Sequence, residues 1–149
     1  MRASTLFTIG IAAMPALGGC SLLTESRPHA PFRITTDHAS YAPSYVVGIT
    51  VVNVSRNDAT YNLCPRTIQR RVADTWQTVV RDPAGGFCTA EARFLAAGAS
   101  IQTTVGVPYD LPDGTYRIVF PWLGNSTLSD DARATPSFVV ARVPIVAVP

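Results

Sequence analysis

The sequence contains no lysine, and its twelve basic residues are all arginine. The absence of lysine excludes the Schiff-base chemistry and the phosphate-loop cation that depend on an ε-amino group. The arginines are scattered along the chain and the formal net charge is only +2, whereas nucleic-acid binding needs a clustered basic face. We therefore expect no nucleic-acid partner.

Cysteine and histidine are also scarce, with three cysteines and two histidines among 149 residues. A structural zinc ion takes four ligands, and only His29 and His38 are present to add imidazoles to the cysteines. We predict no metal site and no other cofactor. Twelve prolines and ten glycines are spread along the chain, which is typical of many short strands joined by turns in one domain.

The first twenty residues have the pattern of an export signal. One arginine and small residues precede an apolar run from Leu6 to Leu17, and the segment ends in Leu17-Gly18-Gly19-Cys20. This ending resembles the lipobox of bacterial lipoproteins. The resemblance implies cleavage of a signal peptide, 1–19, and attachment of palmitate-type acyl chains to the thiol of Cys20. Two alternatives stay open: a transmembrane helix from Leu6 to Leu23, and cleavage without lipid attachment.

The cysteine count bears on this interpretation. If Cys20 carries lipid, Cys64 and Cys88 remain as an even pair in an oxidising compartment. A bond between them closes a loop of about 25 residues, worth about 3.5 kcal/mol by loop-closure entropy. We therefore predict a Cys64–Cys88 disulfide, with two buried free thiols as the alternative.

Residues 20–31 follow the signal and are polar and rich in turn formers. This composition predicts a flexible tether that holds a domain away from the bilayer. Ser21 stands where, by the enterobacterial sorting rule, an aspartate retains lipoproteins at the inner membrane. The lipoprotein resemblance therefore implies a lipid-anchored protein of the cell envelope. It favours the periplasmic face of the outer membrane in a cell with two membranes, and the cell surface otherwise.

From Phe32 onward, apolar residues alternate with polar ones, as expected of half-buried strands. The strands predicted from this pattern begin with Phe32 to Asp37, Val47 to Val52, Thr60 to Cys64 and Ile68 to Val72. Those that follow are Trp76 to Arg81, Ile101 to Val107, Tyr116 to Phe120 and Phe138 to Val140. Seven to eight short strands at intervals of about ten residues predict an all-β fold, an antiparallel β-sandwich over residues 32–141. A small β-barrel is the alternative.

Several weak motifs occur in a fixed order along this domain. They are Tyr41-Ala42-Pro43, Tyr61-Asn62-Leu63-Cys64, Trp76, Cys88 and Leu111-Pro112-Asp113-Gly114-Thr115-Tyr116. The order resembles a family of bacterial immunoglobulin-like domains that commonly sit in envelope lipoproteins. This resemblance implies an immunoglobulin-like sandwich and transfers no catalytic residue. The residues themselves predict two structural roles: Tyr116 as a tyrosine corner, and Trp76 in core or loop packing.

Few residues of the domain suggest chemistry. His38 is its only imidazole, beside Asp37 and near Ser40, but no strained nucleophile elbow surrounds a serine. Asp130-Asp131 lacks the alternating oxygen ligands of a calcium loop, and adjacent Arg70 and Arg71 point to opposite faces if both lie in one strand. We predict no catalytic residues and no enzyme activity.

The C-terminal extension, 142–149, is apolar, too short to span a bilayer and interrupted by proline. We expect it to pack over a sheet edge or, alternatively, to add as a strand to a partner. Taken together, the patterns predict a membrane-anchored envelope lipoprotein that presents an immunoglobulin-like binding or structural module, with an envelope protein as its unidentified partner. The alternative is a proteinase inhibitor. An Asn-Ser strand end, a Pro/Gly turn and a Gly-x-Tyr motif resemble, more weakly, an intracellular proteinase-inhibitor family with an immunoglobulin-like fold.

Overall fold

The computed structural model describes residues 30–81 and 88–142. The signal peptide, Cys20, most of the tether and residues 143–149 of the C-terminal extension lie outside the described residues. Within the described ranges, no helix has the length and apolarity needed to cross a membrane.

Ten strands and one short 3-10 helix make up the described part of the chain. The first five strands are β1 (Phe32–Thr36), β2 (Ser40–Tyr41), β3 (Val46–Asn53), β4 (Ala59–Tyr61) and β5 (Thr67–Val72). The other five are β6 (Thr75–Arg81), β7 (Arg93–Leu95), β8 (Ser100–Gly106), β9 (Gly114–Val119) and β10 (Phe138–Val140). The 3-10 helix, Asp131–Arg133, lies between β9 and β10. The all-β class predicted from the alternation is confirmed.

The strands form two main sheets and one small one. The first main sheet has the order β1-β3-β8, the second has the order β2-β10-β9-β5-β6, and β4 pairs with β7. Neighbouring strands in the described ranges run antiparallel, except that β2 and β10 are parallel. The described strands form open sheets, so the sandwich prediction is confirmed and the barrel alternative is not.

The core lies between the inner faces of the two main sheets. Val47, Ile49 and Val51 of β3 are buried, while the residues between them are partly accessible. The second sheet contributes Tyr116 and Ile118 of β9, both fully buried. Because burying one large apolar side chain stabilises a fold by about 1.5–3 kcal/mol, each of these alternating residues contributes to the cohesion between the sheets.

Strand β4 ends at Tyr61, so the predicted strand from Thr60 to Cys64 is wrong at its C-terminal end. The reason is the side chain of Asn62. Its amide nitrogen donates to the carbonyls of Thr89 (2.8 Å) and Glu91 (2.9 Å), and its oxygen accepts from the backbone amide of Cys64 (2.9 Å). An asparagine that bonds the backbone two residues later turns the chain instead of continuing a strand.

Tyr116 joins the core to the loop before β9. Its buried hydroxyl donates a hydrogen bond to the carbonyl of Pro112 at 2.6 Å, and its ring stacks on Phe138 with the centroids 6.5 Å apart. A hydroxyl is costly to bury unless it is hydrogen-bonded, so this bond allows the ring to fill the core. The arrangement is the tyrosine corner that the sequence predicts.

We expect the substitution Tyr116→Phe to lower the free energy of unfolding by about 1 kcal/mol, because the Pro112 carbonyl loses its donor while the ring is kept. Urea denaturation followed by fluorescence measures this change. Tyr109→Phe is the matched control, because Tyr109 is 78% exposed and its substitution should leave the midpoint unchanged. A Tyr116→Phe midpoint equal to that of the wild type would contradict the structural role.

Candidate functional site

A disulfide joins Cys64 to Cys88, with the two Cα atoms 5.4 Å apart. This is the pairing that the cysteine count predicts. Asn62 holds the same two segments together through the carbonyls of Thr89 and Glu91. A covalent bond and two hydrogen bonds therefore fix the segment after β4 against the segment before β7.

A groove of about 330 Å³ runs beside the disulfide and is lined by Tyr61, Cys64, Arg66 and Ile101, among others. The Arg66 guanidinium donates to the carbonyl of Thr104 on β8 at 3.3 Å, which connects this region to the first sheet. An ion pair between Arg93 and Glu91, 3.9 Å apart, lies among the lining residues. Both signs of charge are therefore present along this groove.

A second groove, of about 480 Å³, lies on the opposite side of β4 next to Trp122. The carbonyl of Trp122 accepts from the Asn62 amide at 3.0 Å, and the Gly124 amide donates to the Thr60 carbonyl at 2.9 Å. Residues 122–124 thus form a short ladder with β4. Leu123 is buried, so the indole of Trp122, one residue earlier, turns outward and is 46% exposed.

The lining of this second groove includes the small residues Thr60, Ala90, Ala92 and Gly124, together with Tyr61 and Arg133. An exposed indole beside small residues offers a flat apolar surface with one polar N–H at its edge. Sequence reasoning does not single out Trp122. The only feature of the sequence that marks Trp122 is its position, directly after Pro121 at the end of a predicted strand.

Trp76 lies half-buried on β6, on the outer face of the second sheet and not between the sheets. Its ring contacts the guanidinium of Arg117, whose central carbon is 4.5 Å from the ring centroid. Arg117 is buried, donates to the side-chain oxygen of Gln69 at 2.7 Å and also bonds the carboxylate of Asp131. Trp76 therefore packs against the guanidinium of Arg117.

The acidic pair Asp130-Asp131 belongs to the same cluster. Asp131 bonds Arg117, and the Asp130 carboxylate accepts from Gln69 at 3.4 Å. The two side chains thus bind protein groups of the second sheet. In the described ranges no group of three or more histidine, cysteine, aspartate or glutamate residues could hold a metal ion.

Arg70 and Arg71 both lie in β5 and have different partners. Arg70 donates to the backbone carbonyl of Asp113 at 3.0 Å, and Arg71 lies 3.4 Å from the carboxylate of Asp74 at the β5–β6 turn. Adjacent residues of a strand point to opposite faces. These two arginines therefore do not form one basic patch.

The structure brings Asp37 to Tyr41 rather than into a relay with His38 and Ser40. The Asp37 carboxylate accepts from the Tyr41 hydroxyl at 2.5 Å and from the Gly48 amide at 2.9 Å. The exposed His38 ring lies 3.8 Å from the other Asp37 oxygen. Within the described residues no hydrogen bond joins this ring to Ser40, which pairs with Val139 through its backbone. The absence of enzyme activity stays a prediction.

The hydrogen bond from Tyr41 holds the pKa of Asp37 below its ordinary value of 3.8. Burial, followed by the hydrogen bond to Asp37, raises the pKa of the Tyr41 hydroxyl above its ordinary value of 10.0. Glycine at position 48 makes the contact feasible, because a Cβ there would lie 2.7 Å from an Asp37 oxygen. The cluster joins the end of β1 to β3 and β2.

No family model matches the sequence, and no curated protein matches it. Solved structures are similar to parts of it at low identity. The sporulation control protein Spo0M from Bacillus subtilis is 12% identical, with a TM-score of 0.46, over 76% of this chain and 49% of its own. The alkylpurine DNA glycosylase AlkC from Pseudomonas fluorescens, bound to DNA containing an abasic site analog, is 12% identical, with a TM-score of 0.38, over 75% of this chain and 31% of its own.

The yjhA protein from Bacillus subtilis is 15% identical, with a TM-score of 0.36, over 75% of this chain and 90% of its own. The present chain thus spans about half the length of Spo0M, at 49%, and about a third of AlkC, at 31%. At these identities and TM-scores the similarities assign neither a family nor an activity to the chain.

We expect Cys64→Ser to lower the free energy of unfolding by about 3 kcal/mol, because the unfolded chain regains the freedom of a loop of about 25 residues. Urea denaturation of oxidised protein measures the loss. Reduced wild-type protein is the matched control and should unfold at the same midpoint as the variant. Equal stability of oxidised wild type and Cys64→Ser would contradict a stabilising disulfide.

We predict that the hydrogen bonds joining Asp37 to Tyr41 and Gly48 make the protein less stable in acid. Because the pKa of Asp37 is lower in the folded than in the unfolded chain, the unfolded chain binds more protons as the pH falls. The contribution is present above the unfolded pKa and is lost as the pH falls through the folded pKa, which lies below the ordinary value of 3.8. Asp37→Asn should flatten this part of the stability profile, measured by urea denaturation at several pH values. The control Asp110→Asn, at an exposed site, should keep the wild-type slope, and equal slopes for all three proteins would count against the cluster.

Proposed function

We propose that this chain is exported, cut before Cys20 and acylated there, and that it presents its β-sandwich as a non-enzymatic binding or structural module of the cell envelope. The observation that carries the proposal is the Cys64–Cys88 disulfide. Disulfides form and persist in oxidising compartments and are rare in the cytosol. The bond therefore supports export, independently of the N-terminal pattern.

The same bond also accounts for two of the three cysteines. The third, Cys20, ends the Leu17-Gly18-Gly19-Cys20 motif after an apolar run, where a lipoprotein carries its acyl chains. One acyl chain gives only reversible membrane binding, whereas two give stable anchoring. A diacylated Cys20 would hold residues 32–141 next to a bilayer through the tether at 20–31.

A binding or structural role is supported by the described surface. The groove beside Trp122 offers an aromatic platform, and polar groups of Thr60 and Ser126 lie along it. Sites that bind ligands commonly combine an apolar surface with a few polar groups. The tyrosine-corner bond of Tyr116 and the two-sheet architecture favour the resemblance to bacterial immunoglobulin-like domains, and we propose an envelope protein as the partner.

We expect Cys20→Ser to abolish acylation and membrane attachment, because the hydroxyl cannot take the place of the thiol in the lipid-transfer step. Mass spectrometry of the N-terminal peptide and detergent-phase partition of whole cells measure the two effects. Wild-type protein should begin at an acylated Cys20 and enter the detergent phase, and the variant should do neither.

Cys88→Ser is the matched control, since it makes the same atomic change at a cysteine engaged in the disulfide. It should destabilise the domain but keep the acylated N-terminus and the membrane attachment. If Cys20→Ser protein is processed and partitioned as the wild type is, both the anchor and the envelope location are wrong.

A further inference from the structure

Three exposed apolar side chains surround the end of the sandwich where the chain passes into β1. The amide of Val54 donates to the carbonyl of Pro31 at 2.8 Å, and the Val54 side chain is 49% exposed. Phe94 on β7 is 72% exposed. The third exposed side chain is that of Trp122, which is 46% exposed. We refer to Val54, Phe94 and Trp122 as the Trp122 surface, and to this end of the sandwich as its N-terminal end.

Backbone contacts place these residues near one another. The side-chain amide of Asn53 donates to the carbonyl of Leu95 at 2.8 Å, which brings β7 beside Val54. Thr60 pairs with Phe94 on one side and accepts the Gly124 amide on the other. Gly124 in turn packs against the ring of Phe32, the first residue of β1.

Phe94 and Trp122 project on the same side of the ladder formed by β7, β4 and residues 122–124. The residues that follow them, Leu95 and Leu123, are both buried. Side chains alternate between the two faces of a strand, so both aromatic rings face away from the core. Large apolar side chains grouped on an exposed surface mark a contact site.

We propose that the Trp122 surface rests in the interfacial layer of the bilayer to which the acylated Cys20 is attached, an inference that depends on the proposed function. Ten residues separate Cys20 from Pro31. A random coil of this length would have a root-mean-square span of about 18 Å. The opposite end of the sandwich lies farther away by the length of β3, about 26 Å. The tether therefore places the Trp122 surface, rather than the opposite end, beside the lipid headgroups.

The chemistry of the surface suits this layer. Tryptophan is enriched at membrane–water interfaces, where its ring meets the acyl boundary and its N–H stays hydrated. Exposed Arg56 stands two residues from Val54, and guanidinium groups bind phosphate oxygens. Arg93, next to Phe94 on β7, points to the opposite face of the ladder and lines the first groove, so the apolar contacts carry most of the attraction.

The test uses the acylated protein that begins at Cys20, in vesicles of phosphatidylethanolamine and phosphatidylglycerol whose acyl chains carry bromine near the headgroup. The sequence has two tryptophans, and Trp76→Phe leaves Trp122 as the only one. Bromine quenches an indole only at contact distance. We expect the emission of Trp122 to fall by about half relative to non-brominated vesicles, as for an indole located at the interface.

A charge placed on the surface should lift it out of the bilayer. Phe94→Glu, in the Trp76→Phe background, should reduce the quenching about twofold, because a carboxylate resists the interfacial layer. Tyr109→Glu is the matched control, since Tyr109 is equally exposed but lies in the loop after β8, at the opposite end. It should leave the quenching unchanged.

The outcomes separate the two proposals. Acylated, vesicle-bound protein with an unquenched Trp122 overturns the membrane contact and leaves the lipid anchor intact. Equal quenching in the Phe94→Glu and Tyr109→Glu proteins also overturns it, since the contact then does not involve this surface. Protection of Trp122 from both brominated lipid and aqueous iodide would indicate a second protein copy on the surface, and overturns it as well. An N-terminal peptide without acyl groups overturns both proposals.

Discussion

The burial of one apolar face of each main sheet against the other is the interaction on which the rest of the structure depends. Val47, Ile49 and Val51 on β3 lie opposite Tyr116 and Ile118 on β9, and all are at most 2% exposed. Neither sheet has another way to remove its apolar face from water. Once the faces meet, the strand ends are fixed, and the connecting segments must lie at the two ends of the sandwich, where the grooves and the exposed aromatic residues are found.

The outer face of β9 shows how one of these connections is positioned. Arg117 would be costly to bury alone, but Trp76 covers its guanidinium and Gln69 and Asp131 accept its hydrogen bonds. Asp131 is 82% exposed, so the ion pair itself contributes little. Its effect is positional: it holds the 3-10 helix of the long β9–β10 connection against the sheet. Because Trp122 lies in that connection, the contacts of Arg117 with Trp76, Gln69 and Asp131 help to orient the exposed indole of Trp122.

The sequence predicts the parts of the fold that depend on local periodicity. The alternation in Val47 to Val51 and in Tyr116 to Phe120 identifies inner-face residues, because a strand next to one core repeats every two residues. Strands β2 and β7 are not predictable in this way, since two or three residues carry no period and their pairing is set by β10 and β4, far along the chain. The burial of Arg117 depends likewise on Trp76 and Asp131, which are distant in sequence. Of the surface sites, the disulfide follows from counting cysteines, whereas the exposure of Trp122 depends on the ladder with β4.

The two described ends of the chain lie at opposite ends of the sandwich. At the N-terminal end, the carbonyl of Pro31 accepts a hydrogen bond from the amide of Val54. At the other end, the amide of Arg142 donates to the carboxylate of Asp113, 3.2 Å away, in the loop that leads into β9. The intervening β3 has eight residues, which corresponds to about 26 Å. If an acylated Cys20 holds the N-terminal end at a bilayer, the apolar extension after Arg142 begins on the side that faces away from it. That geometry separates the proposed anchor from Arg142 by the length of the sandwich, because the headgroup layer lies at the other end.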